Sequence, residues 1–460
     1  MQLYSTKNKK KLVSLKEAVL RGLPEDNGLY MPEYIRPLPS EFFDNIENYS
    51  FSEIAFIVSK HMIGDSIPED DLRKIVESAI NFPAPLVSLD ETIHVLELFH
   101  GPSLAFKDFG ARFMAKLMGY FNNDDKELVI LVATSGDTGG AVASGFYKTP
   151  GIKVVILYPS GKVSHLQELQ LTTLGHNIHA IEVDGTFDDC QAMVKSAFLD
   201  IELRKKIKIS SANSINIARL IPQTFYYFEA YKQLKNKKKP LIFSIPSGNF
   251  GNLTAGLFAK RMGLPVHKFI AATNINDIVP DFLVTGEYNP KSSISTISNA
   301  MDVGNPSNFY RIIDLYYTNT NESKIDCSTW NNIKDNVIGI TITDKETKDG
   351  IKAISENYNY IIDPHGSVAY LAQKEYRKNI GIEINSIIFE TAHPAKFINV
   401  VEKEINKKIN IPERLSKLEQ KEKESTAMRK TYNEFEKFLR KNYIIQTVLL
   451  LYYYKIKGSQ

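Results

Sequence analysis

The chain has 460 residues, of which 43% are hydrophobic, and its 56 basic and 53 acidic residues leave a net charge of +3. This near balance excludes a global positive field that would hold the chain to nucleic acid or to an anionic membrane. The length exceeds what one hydrophobic core usually organises, so we expect at least two domains.

The first 85 residues are predicted to form an accessory region that is mostly helical. Residues 51–63 and 70–82 have the apolar spacing of helices, and the region ends at the breaker Pro83-Ala84-Pro85.

From residue 86 onward, short apolar runs alternate with amphipathic stretches, a pattern typical of parallel strands joined by helices. The predicted strands cover 128–134, 154–158, 178–183, 241–245, 269–273, 337–342 and 387–390. The predicted helices between them include 163–174, 187–198, 253–262 and 367–376. The alternation predicts a doubly wound α/β architecture.

Cysteine usage indicates a reducing compartment. The two cysteines, Cys190 and Cys327, lack the paired spacing of a disulfide framework or a zinc site. We therefore expect a cytoplasmic protein without a bound metal. The most apolar stretch, residues 443–454, is too short to span a membrane, so neither a membrane nor a nucleic acid is expected as a partner.

Two turns that follow predicted strands are rich in glycine and small polar residues, and we call them the 134–140 loop (TSGDTGG) and the 247–252 loop (SGNFGN). In open α/β sheets, ligands lie beyond the carboxyl ends of the strands. The 247–252 loop can direct several N–H donors and a helix N-terminus at one phosphate. It lacks the sequence of a mononucleotide or dinucleotide loop. It therefore either binds the phosphate of another ligand or is an ordinary glycine-rich turn.

Lys107 is a candidate nucleophile. It lies in the segment HGPSLAFKDFG, among apolar and small residues. A lysine in such surroundings loses hydration, which favours the neutral amine and suits it for a Schiff base. The alternative is that Lys107 pairs with Asp108 at the start of a helix.

Six segments, in order along the chain, resemble threonine synthases of the bacterial and fungal type. They are HGPSLAFKDFG, ATSGDTGGAVA, PSGNFGN, SNAMDVGNPSNF, DPHGSVAY and ETAHPAKF. The resemblance extends from the first residues to about Lys403. It implies a fold-type II pyridoxal phosphate enzyme, in which two α/β domains close on the cofactor at their interface.

With this resemblance, four parts of the chain are expected. Residues 1–85 form the N-terminal accessory region, and 86–225 form an α/β domain with the cofactor lysine and the 134–140 loop. Residues 226–400 form a second α/β domain with the 247–252 loop. Residues 401–460 form a helical segment that ends, after about Asn442, in an apolar tail unlike the family.

The resemblance assigns the cofactor pyridoxal 5'-phosphate to specific residues. Lys107 matches the catalytic lysine that carries the cofactor, and Thr391 matches a hydroxyl residue near the pyridine nitrogen. The residues matched to the cofactor phosphate are Gly248, Asn249, Phe250, Gly251 and Asn252. This assignment agrees with the anion site inferred from the chemistry of the 247–252 loop.

The 134–140 loop is implied to close over the substrate carboxylate. Ser135 and Thr138 are the expected substrate-binding residues, and no role is assigned to Asp137, where relatives of this fold type often have asparagine. Two histidines, His365 and His393, stand beside a proline in the matched motifs. They are expected to be packing or turn residues rather than general bases.

A substrate phosphate needs a fixed guanidinium and neutral donors. The segment 213–219 resembles the family segment that supplies them, and the matching residues are Asn213, Ser214 and Arg219. Apart from the resemblance, the same segment reads as a helix N-cap followed by a surface arginine.

The implied reaction converts O-phospho-L-homoserine and water to L-threonine and phosphate, by γ-elimination and β-addition of water, in a monomer or homodimer. The resemblance thus implies a carbon–oxygen lyase that acts on phosphates and catalyses the last step of threonine biosynthesis. One alternative is a phospho-amino-acid phospholyase of the same fold, which releases ammonia and a keto acid. Another is a non-catalytic binding protein that lacks cofactor absorbance.

Overall fold

The computed structural model describes residues 1–123, 126–317 and 325–445. The strands are β1 (Gln2–Ser5), β2 (Asn8–Ser14), β3 (Tyr30–Pro32), β4 (Leu86–Ser88), β5 (Ile93–Glu97), β6 (Leu128–Ala133), β7 (Ile152–Pro159), β8 (Ile178–Asp184), β9 (Lys208–Ser211), β10 (Leu241–Pro246), β11 (Lys268–Thr273), β12 (Val337–Thr341), β13 (Asn385–Glu390) and β14 (Thr426–Arg429).

The helices are α1 (Leu15–Arg21), α2 (Ser40–Asp44), α3 (Phe51–Ile63), α4 (Glu69–Ala79), α5 (Lys107–Phe121), α6 (Asp137–Phe146), α7 (His165–Thr172), α8 (Phe187–Leu199), α9 (Ile201–Lys206), α10 (Ile217–Leu220), α11 (Phe225–Gln233), α12 (Gly251–Arg261), α13 (Ile278–Thr285), α14 (Phe309–Tyr316), α15 (Cys327–Lys334), α16 (Asp344–Tyr358), α17 (Pro364–Lys378), α18 (Ile398–Ile405), α19 (Glu413–Ser416) and α20 (Tyr432–Arg440).

The N-terminal region combines the expected helices with an antiparallel sheet of order β2-β1-β3. Helix α3 covers the predicted residues 51–63, and its N-terminus is fixed by a capping box between Ser50 and Glu53. The three strands were not predicted. They are short, and the lysine-rich β2 is exposed over most of its length, so it has no apolar alternation to reveal it.

Two larger sheets confirm the α/β architecture. A five-stranded parallel sheet has the order β14-β8-β7-β6-β9, and a six-stranded sheet has the order β12-β11-β10-β13-β5-β4. The second sheet is parallel except for β4, which runs antiparallel to β5. Strands β6, β10 and β13 are buried along their whole length, which explains why most of their residues are apolar.

Strand pairing crosses the domain boundaries expected from the sequence. Strand β5 pairs with β13 of the six-stranded sheet, although it precedes every strand of the five-stranded sheet. Strand β14 returns to pair with β8. It lies within residues 401–460, which were expected to be helical and which also contain α19, α20 and most of α18. The strand was not predicted, because an exposed edge strand has a polar sequence. The domain boundaries themselves stay a prediction.

No helix within the described ranges is both long and apolar enough to cross a membrane. The apolar tail was predicted to begin after about Asn442, and its residues 446–460 lie outside the described residues. Just before them, Tyr443 is buried, and its hydroxyl forms a hydrogen bond of 2.6 Å with His179 Nδ1.

Candidate active site

The residues predicted to bind cofactor or substrate line one cavity of about 280 Å³. It lies beyond the carboxyl ends of β6 and β9 of one sheet and of β10 and β13 of the other. The predicted residues on its wall are Lys107, Ser135, Thr138, Asn213, Ser214, Arg219, Gly248, Asn249, Phe250, Gly251, Asn252 and Thr391. The fold therefore brings both glycine-rich loops and the candidate lysine together.

The 247–252 loop packs closely against neighbouring backbone at Gly248. A Cβ atom on Gly248 would lie 2.5 Å from the Ala300 carbonyl oxygen and 2.9 Å from Met301 Cα. Phe250 has a left-handed backbone (φ 59°) and is buried, and α12 begins at the next residue. The loop thus presents the N-terminus of an 11-residue helix to the cavity.

Asn252 carries an unused hydrogen-bond donor. Its Oδ1 accepts from the hydroxyls of Tyr226 (2.8 Å) and Tyr227 (2.9 Å), which fixes the orientation of the amide. Its buried Nδ2 has no partner among the described residues. A buried donor without a partner is costly, and a ligand oxygen in the cavity would supply that partner.

Asn249 connects the 247–252 loop to the 213–219 segment. Its Nδ2 donates to Ser214 Oγ (2.6 Å), and its Oδ1 accepts from the Ser307 N–H (2.6 Å). Ser214 Oγ also accepts from Asn308 Nδ2 at 3.3 Å. Because this oxygen receives two donors, its own hydroxyl hydrogen is left to donate to an anion.

Arg219 is buried, with 3% of its surface exposed, so the alternative of a surface arginine is wrong. Its Nη1 donates to the Ala212 carbonyl (2.7 Å), while Nε has no partner within the described part of the chain. Burial lowers the pKa of the guanidinium to about 10, against the opposing effect of the Asp108 carboxyl. It stays a cation at neutral pH and can bind an anion.

Lys107 is the first residue of α5, where the helix dipole disfavours a cation. Burial is the main cause that lowers the pKa of its amine, to about 8; Asp137 acts against burial, and the charges of Lys396 and Arg219 add to it. Asp108 does not pair with it, since its carboxylate accepts from the Ser103 N–H (2.8 Å). Lys107 has no ion pair in the described ranges, so its amine is available to react.

The backbone before Lys107 is fixed to the end of β13. The Phe106 N–H donates to the Thr391 carbonyl (2.8 Å), and the His393 N–H donates to the Leu104 carbonyl (3.1 Å). Ala105 and Ala392 form an isolated antiparallel bridge. Lys107 and the Thr391 hydroxyl therefore share one rigid frame.

In the 134–140 loop, the Thr134 hydroxyl accepts from the N–H groups of Gly136 (3.0 Å) and Gly139 (2.8 Å). Asp137 pairs with Lys396 at 2.5 Å. The hydroxyls of Ser135 and Thr138 reach the cavity and form no side-chain hydrogen bond with any described residue. They are the groups that this loop offers to a ligand.

Comparison with known proteins assigns the family. Sequence profiles match residues 2–80 ("Threonine synthase N terminus"), 79–389 ("Pyridoxal-phosphate dependent enzyme") and 367–439 ("Threonine synthase, C-terminal"). The threonine synthase of Haemophilus influenzae is 43% identical over 443 residues, which cover 96% of this chain and 100% of that protein. The chain belongs to the threonine synthase family.

Solved structures of threonine synthases agree. The Escherichia coli crystal structure matches with a TM-score of 0.88 at 41% identity, over 96% of this chain and 100% of that one. The PLP-bound structure from Brucella melitensis matches with a TM-score of 0.89 at 33% identity, over 96% and 99%. The fold is that of fold-type II enzymes, and the cofactor of the family is pyridoxal phosphate.

The profile matches also correct the extent of the resemblance, which the sequence motifs had placed at about Lys403. The C-terminal match continues to residue 439. It includes β14 and α20, whose buried Phe435 and Leu439 pack into the core of the five-stranded sheet. Polar sequence around these apolar positions conceals their role.

The cavity fits pyridoxal phosphate, as expected for a threonine synthase. Gly248 and the N-terminus of α12 line the cavity, and Asn252 Nδ2, which has no partner among the described residues, offers a donor to an anion. The depressed pKa of Lys107 suits a lysine that bonds to a cofactor aldehyde.

Sequence reasoning missed two buried cations near the site. Lys396, within ETAHPAKF, pairs with Asp137. Arg311 is buried and donates to the carbonyls of Ser214 (3.3 Å) and Ile215 (2.7 Å) and to Asn308 Oδ1 (2.6 Å). It holds the Ser214 segment in place. The matched motif ends two residues earlier, at Phe309, so nothing in its own sequence context marked Arg311.

The two histidines that stand beside a proline in the matched motifs, His365 and His393, use ring nitrogens within the protein. His365 Nδ1 contacts Asp363 (3.0 Å), and its Nε2 accepts from the Ala300 N–H (3.2 Å). His393 Nδ1 accepts from the Ala395 N–H (3.1 Å), and burial lowers its pKa to about 4. This geometry supports the expectation that they are structural.

Proposed function

We propose that this chain converts O-phospho-L-homoserine and water to L-threonine and phosphate, as a carbon–oxygen lyase. The observation that carries the proposal is one cavity that joins Lys107, which has no ion pair within the described part of the chain, to two separate anion-binding elements. One is the 247–252 loop at the N-terminus of α12, and the other is formed by Ser214 and Arg219. A phosphorylated cofactor and a phosphorylated substrate need two such elements.

The first element is assigned to the cofactor. Gly248, Asn249, Phe250, Gly251 and Asn252 would hold its phosphate through backbone N–H groups and the free Nδ2 of Asn252. Thr391 would face its pyridine nitrogen. When bound, pyridoxal phosphate withdraws electrons from the carbon atoms next to the substrate nitrogen and so acidifies their C–H bonds.

The second element is assigned to the substrate phosphate. Arg219 supplies a fixed positive charge, and Ser214 and Asn213 add neutral donors. Arg219 and Ser214 are themselves held by neighbouring carbonyl and amide groups. A preorganised site of this kind stabilises the phosphate as it leaves the γ-carbon without a further reorganisation cost.

Ser135 and Thr138 would orient the substrate carboxylate, since their hydroxyls have no other partner in the described part of the chain. The carboxylate would then lie near the N-terminus of α6, where a negative charge is stabilised.

The Lys107 amine would move the protons of the reaction. Its pKa of about 8 leaves a useful fraction neutral at physiological pH, so it can accept a proton from the α-carbon. A second proton leaves the β-carbon before the γ-phosphate departs, and water then adds at the β-carbon. The same amine is placed to return protons to carbon in the final steps.

The test is a product assay with Lys107→Ala beside the unaltered chain. Purified protein is incubated with pyridoxal phosphate and O-phospho-L-homoserine, and threonine, phosphate, ammonia and keto acid are quantified. We expect threonine and phosphate in equal amounts, with the variant reduced by at least about 10³-fold because it loses both the cofactor bond and the proton carrier. Lys239→Ala, which changes a lysine outside the cavity, is the matched control.

Other products would redirect the proposal. Ammonia and a keto acid without threonine would make the chain a phospholyase of the same fold. Lack of cofactor absorbance after incubation would favour a non-catalytic binding protein.

The cellular location and the oligomeric state of the protein are also proposals. We infer a cytoplasmic enzyme that acts as a monomer or homodimer. Light scattering of the purified protein separates these two states.

A further inference from the structure

Asp137 and Lys396 form an ion pair that joins the two large sheets. The distance from Lys396 Nζ to Asp137 Oδ1 is 2.5 Å, and the two side chains are 0% and 5% exposed. Asp137 opens α6 just after β6 of the five-stranded sheet, whereas Lys396 lies on the turn Pro394–Phe397 that follows β13 of the six-stranded sheet. A buried pair in this position connects the two walls of the cavity.

The pair also holds the segment that contains Lys107. Lys396 Nζ donates to the Ser103 carbonyl (3.0 Å), which accepts a second bond from Gln170 Nε2 (2.9 Å). Asp137 Oδ1 accepts from Gln167 Nε2 (2.9 Å). Three chain segments around the reactive amine thus converge on one charge pair.

The two charges of this pair shift the pKa of Lys107 in opposite directions. Besides burial, the groups that influence its amine are Asp137, which favours the ammonium form, and Lys396 and Arg219, which disfavour it. Lys396 and Lys107 outweigh the effect of burial on Asp137 and hold the pKa of its carboxyl well below the ordinary range. As long as both partners are present, their effects on the pKa of Lys107 oppose each other.

We propose that Lys396 is a positioning residue that neutralises Asp137, fixes the 134–140 loop against the Lys107 segment, and so keeps the Lys107 amine free of a carboxylate partner. Without Lys396, the buried Asp137 carboxylate would take Lys107 as its counter-ion, because an uncompensated buried charge is costly. The proposal rests on the proposed function in that Lys107 is the reacting amine.

The test measures the reactivity of Lys107 in the full chain prepared without cofactor. Protein is treated with a limiting amount of acetic anhydride between pH 6 and 11, and mass spectrometry gives the fraction of Lys107 acetylated. For the unaltered chain we expect half-maximal labelling near pH 8. Lys396→Met should move this midpoint up by about one pH unit or more, and Asp137→Asn should move it down by a similar amount.

The double variant Asp137→Asn/Lys396→Met should return the midpoint close to that of the unaltered chain. If Lys396→Met fails to fold, as judged by circular dichroism, the step from Asp137→Asn to the double variant still measures the effect of Lys396. Lys239→Met is the matched control, because it breaks an ion pair of 2.5 Å with Glu383 that is more exposed and outside the cavity, and it should leave the midpoint unchanged.

Shifts of the same sign in both single variants, or no shift in either, would overturn the proposal, since a merely structural pair has no signed effect on the amine. The labelling needs neither cofactor nor substrate. If the signed shifts appear and O-phospho-L-homoserine is not converted, the charge pair stands and the proposed function falls. If O-phospho-L-homoserine is converted and the signed shifts are absent, the proposed function stands and the role of the charge pair falls.

Discussion

The two glycine-rich loops of the cavity occupy equivalent places, since each follows a buried strand and begins a helix, but they are held by different forces. The 247–252 loop is fixed by neutral contacts, among them the amide of Asn249 and the close approach of Gly248 to Ala300. The 134–140 loop is held by a buried charge pair through Asp137, and the hydroxyls of Ser135 and Thr138 have no side-chain partner among the residues that the structure describes. Both loops keep groups for a ligand, since the first retains the Asn252 Nδ2 donor, which has no partner among the described residues, and the second retains the two hydroxyls.

This contrast indicates a division of labour. A loop with fixed, neutral contacts suits a cofactor that stays bound through many turnovers. A loop with unpartnered hydroxyls suits a substrate that must bind and leave in each cycle. Changes in the two loops should therefore affect different measured constants.

The largest effect is expected for Gly248→Ala. Its new Cβ would press on backbone atoms of Ala300 and Met301, which cannot move aside as a side-chain end could. We expect pyridoxal phosphate to bind about 2–3 kcal/mol more weakly, roughly 30- to 150-fold in the dissociation constant, as measured by fluorescence titration. Gly381→Ala, where a Cβ meets open space, is the control. Equal affinity in both variants would contradict the rigid-loop interpretation.

A smaller effect is expected for Thr138→Val, which keeps the shape of the side chain and removes its hydroxyl. Loss of a hydrogen bond to a carboxylate should lower kcat/KM by about tenfold, equivalent to about 1.5 kcal/mol. Cofactor affinity should not change. Thr173→Val serves as the control, because the Thr173 hydroxyl donates within its own helix to the Leu169 carbonyl (2.8 Å). If Thr138→Val weakens cofactor binding and leaves kcat/KM unchanged, the proposed distinction between the loops is contradicted.

The smallest effect is expected for Thr391→Val. A single neutral hydrogen bond contributes about 1 kcal/mol, so kcat should fall roughly fivefold, and the absorbance maximum of the bound cofactor should shift. Thr391→Ser keeps the hydroxyl and should behave like the unaltered chain. If the valine variant has an unaltered spectrum, Thr391 does not contact the cofactor ring.

The site combines local turns with contacts between distant segments, and this explains how much of it the sequence could predict. All twelve predicted cofactor- and substrate-binding residues line the cavity, because their positions are set by local strand-to-helix turns that have a recognisable composition. The contributions of Lys396 and Arg311 could not be predicted in this way. Each depends on a partner that is more than 90 residues away in sequence, and a lysine or arginine looks alike on the surface and in the core.

The sequence by itself determined the α/β architecture, the family and the candidate lysine, because apolar periodicity and short loop motifs are local properties. Tertiary structure alone decided that β5 joins the six-stranded sheet, that the polar strand β14 extends the other, and that Asp137 is neutralised by Lys396. These features depend on pairing between distant segments. The free energy of such a pairing comes from burial and charge compensation that exist only when both partners are in place.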